Sequence, residues 1–192
     1  MSDTPIRLAV FASGEGTNLE NIVRYFQHHP RIQVALAVSN RTQAVALQRA
    51  ASLGVKCAVV SRDELASSPE SVLQLLADID YIILAGFLLR IPDYLVETFP
   101  QRIVNIHPSL LPKYGGKGMY GHHVHEAVCA AGETETGITI HFVDRGIDSG
   151  KPIAQFRVPL CPGQETPESI AAKIHRLEQE HFPQVIEQLL CG

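Results

Sequence analysis

From residue 6 to residue 106 the chain repeats one pattern: a short apolar run, a turn signal, then apolar residues at helical spacing. Ile6–Phe11, Ile32–Val38, Lys56–Val60, Tyr81–Ala85 and Arg102–Ile106 read as strands. Between them, Asn18–Gln27 reads as a helix with Leu19, Ile22, Val23 and Phe26 on one face. A second helix is expected from a Thr42 cap to a stop at Gly54, and a third over Asp63–Ala77, interrupted at Pro69. Pro92 opens a fourth, running to Phe99. Strands that are apolar throughout are covered on both faces. This alternation predicts an α/β, Rossmann-like fold: a mostly parallel sheet with helices on both faces.

The rhythm changes after Ile106. A loop rich in proline and glycine spans His107–Gly121, and a helix is expected over His122–Ala131. Thr136–Val143 and Pro152–Pro159 are too close for a crossover, so they read as an antiparallel strand pair. A last helix starts at Thr166-Pro167 and heads for Leu190, with Pro183 expected to kink or break it. Its stripe of Ile170, Ile174, Leu177 and Val185 reads as core. On this reading residues 1–192 form one domain, with a phosphate-binding Rossmann-like lobe at 1–106 and a second, catalytic lobe at 107–192. The chemistry belongs at the carboxyl edge of the sheet.

A formal net charge of −4 argues against a broad nucleic-acid or membrane-binding face. No apolar run reaches the roughly 18–20 residues of a membrane span. The start, with Asp3 ahead of a short apolar run, does not read as a secretory leader. Cys57, Cys129, Cys161 and Cys191 are scattered, which predicts reduced thiols rather than disulfides or a zinc site, and a cytoplasmic setting.

Three stretches carry chemistry. Ser13-Gly14-Glu15-Gly16-Thr17-Asn18 joins the first strand to a helix. Glycines there let the backbone approach an anion, and the helix start supplies free N–H groups. A monophosphate suits this loop better than a dinucleotide, because Ser39-Asn40-Arg41, not an acidic residue, ends the second strand. An ordinary strand–helix turn is the competing reading. Asn105 and His107 stand two apart in an extended segment, so both project to one side, and Pro108 keeps His107 extended. An amide donor beside an imidazole suits a developing oxyanion, although a histidine satisfying loop backbone would look the same. Ser109 lacks a nucleophile elbow. Pro112 stiffens the loop, and a cis bond there is one way to do so. In the last turn, a carboxylate at Asp148 between Gly146 and Gly150 could orient the imidazole or pass a proton, whereas Asp144 reads as a turn cap.

Gly-x-Gly-Thr-Asn at 14–18, Leu-Ala-Gly-Phe at 84–87, Asn-Ile-His-Pro-Ser-Leu-Leu-Pro at 105–112 and Gly-Ile-Thr-Ile-His-Phe-Val leading to Asp148-Ser-Gly together resemble the phosphoribosylglycinamide formyltransferase family, over roughly residues 6–190. The resemblance implies formyl transfer from 10-formyltetrahydrofolate, as co-substrate, to the amine of glycinamide ribonucleotide by direct attack, with no metal. It implies that Asn105 and His107 hold the oxyanion and that Asp148 assists proton transfer. Gly14, Gly16, Thr17 and Asn18 would hold the phosphate, and Glu178 the ribose. Phe87, Leu88, Leu89, Arg90 and Ile91 would hold the folate, with Asn105, His141 and Asp148. Arg90 stands one place further along than the family's Met-Arg-Ile run, and Arg145 replaces an acidic or apolar residue. Related branches that act on methionyl-tRNA or sugar nucleotides append a further domain, and the hydrolases carry a regulatory one; 192 residues leave no room for either. A silent folate- or nucleotide-binding sensor is the other-class alternative, and the intact triad speaks against it. A monomer or a homodimer is expected, without nucleic acid or membrane partners. His122, His123 and His125 read as a helix start rather than a metal site, and Arg62 and Lys113 read as surface charges, with contact to phosphate or the folate tail as the alternative.

Overall fold

A computed structural model describes residues 4–192; Asp3, invoked above against a leader, lies outside the described residues. The strands are β1 (Ile6–Phe11), β2 (Ile32–Ser39), β3 (Lys56–Val59), β4 (Tyr81–Leu84), β5 (Ile103–His107), β6 (Glu135–Phe142) and β7 (Pro152–Pro159). They form one seven-stranded sheet in the order β3-β2-β1-β4-β5-β6-β7. Pairing is parallel from β3 through β5, and β6 and β7 are antiparallel. The Rossmann-like reading holds, with the antiparallel pair where it was expected.

The helices are α1 (Thr17–Phe26), α2 (Val45–Ser52), α3 (Arg62–Ser67), α4 (Pro69–Leu75), α5 (Asp93–Thr98), α6 (His122–Ala130) and α7 (Pro167–Cys191). Successive residues of β1 serve opposite faces. Leu8 and Val10 pack under α1, α2, α6 and α7, while Ala9 and Phe11 pack under α3, α4 and α5. The stripe Leu19, Ile22, Val23 and Phe26 is buried as its spacing requires.

Two sequence expectations fail, and each for a tertiary reason. Thr42 does not cap α2, which begins at Val45 behind Ala44 with no side-chain cap. The Ala46 amide in its first turn donates instead to the Gly14 carbonyl, 3.0 Å away. Pro183 does not break α7, which runs unbroken for 25 residues. Proline cannot donate to the carbonyl four residues back, that of Gln179. The Asn21 side-chain amide from α1 occupies that carbonyl at 2.8 Å, so the gap in the helix ladder becomes a helix–helix contact. The interruption at Pro69 is real: it starts α4 after a break at Ser68.

The order of strands places a topological switch between β1 and β4, where the chain stops building toward β3 and starts toward β7. The loops after β1 and β4 flank it. Ser13 joins them: its amide donates to the Gly86 carbonyl (3.0 Å), and its hydroxyl accepts from the Leu88 amide (2.9 Å).

Two stability predictions follow from α7. Asn21→Ala should cost about 1–2 kcal/mol by orphaning the Gln179 carbonyl, and Pro183→Ala should recover part of that loss only in the Asn21→Ala background, as a double-mutant cycle of denaturant unfolding will show. Separately, Lys173, Ser169 and the Cys161 amide hold the Glu165 carboxyl at about 2. A depressed carboxyl pKa stabilises the fold above the unfolded value near 4.5 and loses that contribution as pH falls toward 2. Glu165→Gln should therefore flatten acid unfolding across that window.

Candidate active site

The glycine loop of residues 13–18 is built by exclusion of side chains. Gly16 caps α1 in the left-handed region, with φ at 72°. A Cβ there would sit 2.4 Å from the Ala46 Cα, so only glycine allows α2 to approach. No side chain caps α1, and its first-turn amides have no acceptor within the helix. Asn18, one residue inside, is committed elsewhere: its Nδ2 donates to Glu178 Oε2 (2.9 Å) and its Oδ1 accepts from Gln179 Nε2 (2.7 Å). That pairing brings the predicted phosphate and ribose residues together across 160 residues of chain. Glu178 also faces His175, whose pKa it raises by hydrogen bonding.

The second group of predicted residues meets at a cavity of about 320 Å³ lined by Phe87–Ile91, Asn105, His107, His141 and Asp148. Residues 14–18 and Glu178 are not in its lining. His107 is buried, and its Nε2 lies 2.7 Å from the Tyr114 carbonyl, which can only accept, so Nε2 carries a hydrogen. Nδ1 is the nitrogen that faces Asp148, 3.5 Å from Oδ2. The same Oδ2 accepts from the Gly116 amide at 2.9 Å, and Oδ1 stands 3.9 Å from His141 Nε2. Asn105 Nδ2 lies 3.1 Å from His141 Nε2. Burial pushes the His141 imidazole below its ordinary value, against the opposing pull of the Phe142 carbonyl and Asp148.

Tyr114 and Asp148, the two residues that bracket His107, have φ of 55° and 54°; Gln101 alone joins them as a non-glycine with positive φ among the described residues. Tyr114 and Gly116 were invisible in the sequence, which offered only glycine content in that loop. The loop is pinned by Ser109, whose hydroxyl donates to the Lys113 carbonyl at 2.6 Å, and by a cis Leu111–Pro112 bond. Tyr120, Ile147 and Leu88 are large apolar side chains about half exposed in the cavity lining. Neither Tyr120 nor Ile147 carried a motif. The Phe87 ring packs edge-on against Phe11, leaving mainly its backbone to the cavity.

Arg90 and Arg145, both out of pattern in the sequence, prove to be coupled. Arg90 donates to Asp93 (2.8 Å) and to the Arg145 carbonyl (3.0 Å), while the Arg145 guanidinium pairs with Glu97 (2.6 Å). They brace the Asp148 turn against α5. Asp144 accepts from the Gly146 amide and the Ser149 hydroxyl, the turn-capping role expected of it. Lys113 pairs with Glu133, and Arg62 is exposed at the start of α3. His122 faces Glu126, whereas His125 is buried with its Nδ1 unpartnered.

Residues 6–186 match the formyl transferase domain family. The chain is 35% identical to the phosphoribosylglycinamide formyltransferase of Bacillus subtilis (strain 168), over 96% of this chain and 94% of that protein. It belongs to the phosphoribosylglycinamide formyltransferase family. Within that family, the structure of glycinamide ribonucleotide transformylase 1 from Geobacillus kaustophilus superposes with a TM-score of 0.87 at 40% identity, covering 97% of this chain and 99% of that one. The trifunctional purine biosynthetic protein adenosine-3 of Drosophila pseudoobscura pseudoobscura is 34% identical over 97% of the chain, which spans 14% of that protein's length. Among the described residues no helix is long and apolar enough to cross a membrane.

Gly16→Ala should abolish the loop's geometry, and Ala46→Gly should not rescue it. The second change removes the methyl 2.5 Å from the new Cβ but leaves the residue-46 Cα at 2.4 Å, and the alanine still sits in the left-handed region at a cost of about 1 kcal/mol or more. Thermal unfolding of the single and double variants checks this.

Proposed function

We propose that this formyltransferase moves the formyl group of 10-formyltetrahydrofolate to the amine of glycinamide ribonucleotide, N1-(5-phospho-D-ribosyl)glycinamide, as a step of de novo purine (IMP) biosynthesis. The observation that carries the reading is the convergence of Asn105, His107 and Asp148 on one cavity, with a glycine-capped helix start on the other side of the sheet's switch point.

The ribonucleotide phosphate sits on the amides at Gly16, Thr17 and Asn18, where the helix dipole favours an anion. Glu178, steadied by Asn18, holds the ribose hydroxyls. The folate enters the larger cavity, its pterin against the backbone of Phe87–Ile91 and its aromatic middle against Leu88, Tyr120 and Ile147. The amine attacks the formyl carbon and the carbonyl oxygen becomes an oxyanion. Asn105 and the Nδ1 side of His107 stabilise it, since Nε2 is occupied by Tyr114. Asp148, 3.5 Å from that Nδ1, orients the imidazole and takes part in moving the amine proton toward the folate nitrogen as the carbon–nitrogen bond breaks. The reading calls for no metal, because one oxyanion is all that needs stabilising. Every group comes from one chain, so it works in a monomer or a homodimer. Both substrates are small and soluble, in keeping with a cytoplasmic enzyme without nucleic-acid or membrane partners.

Turnover of glycinamide ribonucleotide with 10-formyltetrahydrofolate, followed by the absorbance of the deformylated folate, should far exceed that with other amine acceptors. Formate release without any acceptor would instead indicate a hydrolase. Asn105→Ala should lower kcat about a hundredfold or more, as loss of one oxyanion donor does; undiminished turnover would overturn the mechanism.

A further inference from the structure

His141 is the buried histidine of the cavity to which the proposed reaction gives no step. Strand register sets it directly opposite Asn105, in the β5–β6 pair. Its Nδ1 lies 2.8 Å from the Phe142 carbonyl oxygen, which can only accept, so Nδ1 carries the hydrogen. In the neutral ring Nε2 then holds a lone pair. The Asn105 amide nitrogen, which can only donate, stands 3.1 Å from it. One amide hydrogen is thereby committed and the plane of the carboxamide is set, leaving the second hydrogen for the oxyanion.

We propose that His141 is a positioning residue that holds the Asn105 carboxamide as an oxyanion donor, and that it does so only as the neutral imidazole. The proposal rests on the role given to Asn105 above. A proton on Nε2 would set donor against donor at Asn105 and would turn that nitrogen toward Asp148 Oδ1, 3.9 Å away. Protonation thus exchanges Asn105 for Asp148 and dismantles the donor. The titratable groups facing the ring are Asp148, His107 and Asp144. The two carboxylates favour the charged ring and His107 opposes it, but burial is the largest influence and keeps the ring neutral.

Two measurements test this. Long-range proton–nitrogen correlation NMR of the ligand-free enzyme at pH 7.5 should show His141 with a protonated Nδ1 and an unprotonated Nε2. The opposite tautomer, or a charged ring at that pH, overturns the proposal. This readout needs no turnover, so it stands apart from whether glycinamide ribonucleotide is the acceptor. In the kinetic arm, His141→Gln puts an amide oxygen where Nε2 stood. It should keep kcat within about threefold and move the acid limb of kcat to lower pH, since an amide acceptor keeps the hydrogen bond. His141→Phe keeps a ring but offers no acceptor. It should lower kcat by about tenfold or more, toward the loss seen when an oxyanion donor is removed, with KM for both substrates little changed. Equal losses in the two variants at every pH would mean that His141 itself transfers a proton, which also overturns the proposal. If circular dichroism shows His141→Phe unfolded, the tautomer and the His141→Gln pH profile decide alone.

Discussion

The carboxylate of Asp148 is where β5, the loop that follows it and β6 are tied together. Its oxygens face His107 from β5, Gly116 from the loop that follows, and His141 from β6. With its side chain only 13% exposed, such a charge is costly unless donors surround it. The Gly116 amide is one, donating to Oδ2 at 2.9 Å. The backbone is bent to achieve this. Asp148 and Tyr114 both adopt positive φ, and both present their polar atoms to the same imidazole. Strain is therefore concentrated on the residues that aim His107, and the rigid sheet beneath holds it there.

The sheet supplies that rigidity cheaply. Both faces of the central strands are apolar and covered, so β1, β4 and β5 form a fixed platform whose carboxyl ends diverge at the switch point. The glycine loop of residues 13–18 and the Gly86–Ile91 segment rise from neighbouring strands, and the Ser13 hydroxyl ties one to the other. The antiparallel turn of β6 then does what a further parallel strand would not: it lays His141 against Asn105 without a helix between them. Arg90 and Arg145 close the remaining side by joining the Asp148 turn to α5.

Much of this was legible before any coordinates. Period-two spacing put Asn105 and His107 on one side of a strand, and the paired glycines marked the tight turn from β1 into α1. The helix stripes of α1 and α7 fell on the buried faces. What misled the reading was local grammar applied where a distant group intervened. Thr42 is a good cap residue, but the Gly14 carbonyl had already taken a first-turn amide of α2. Pro183 is a helix breaker, but the Asn21 amide had already taken the carbonyl it orphans. The 113–121 loop carried no periodicity from which Tyr114 or Gly116 could be assigned a partner.

The sequence by itself determined the alternation of elements and the faces they bury, because strand and helix periods follow from backbone geometry within a few residues. Only the tertiary structure decided which nitrogen of His107 meets Tyr114 and which meets Asp148, and that His141 stands opposite Asn105. Those relations depend on strand register and loop path, across 36 residues from Asn105 to His141 and further still from His107 to Asp148. A shift of one residue in register would turn each of those side chains to the other face of the sheet.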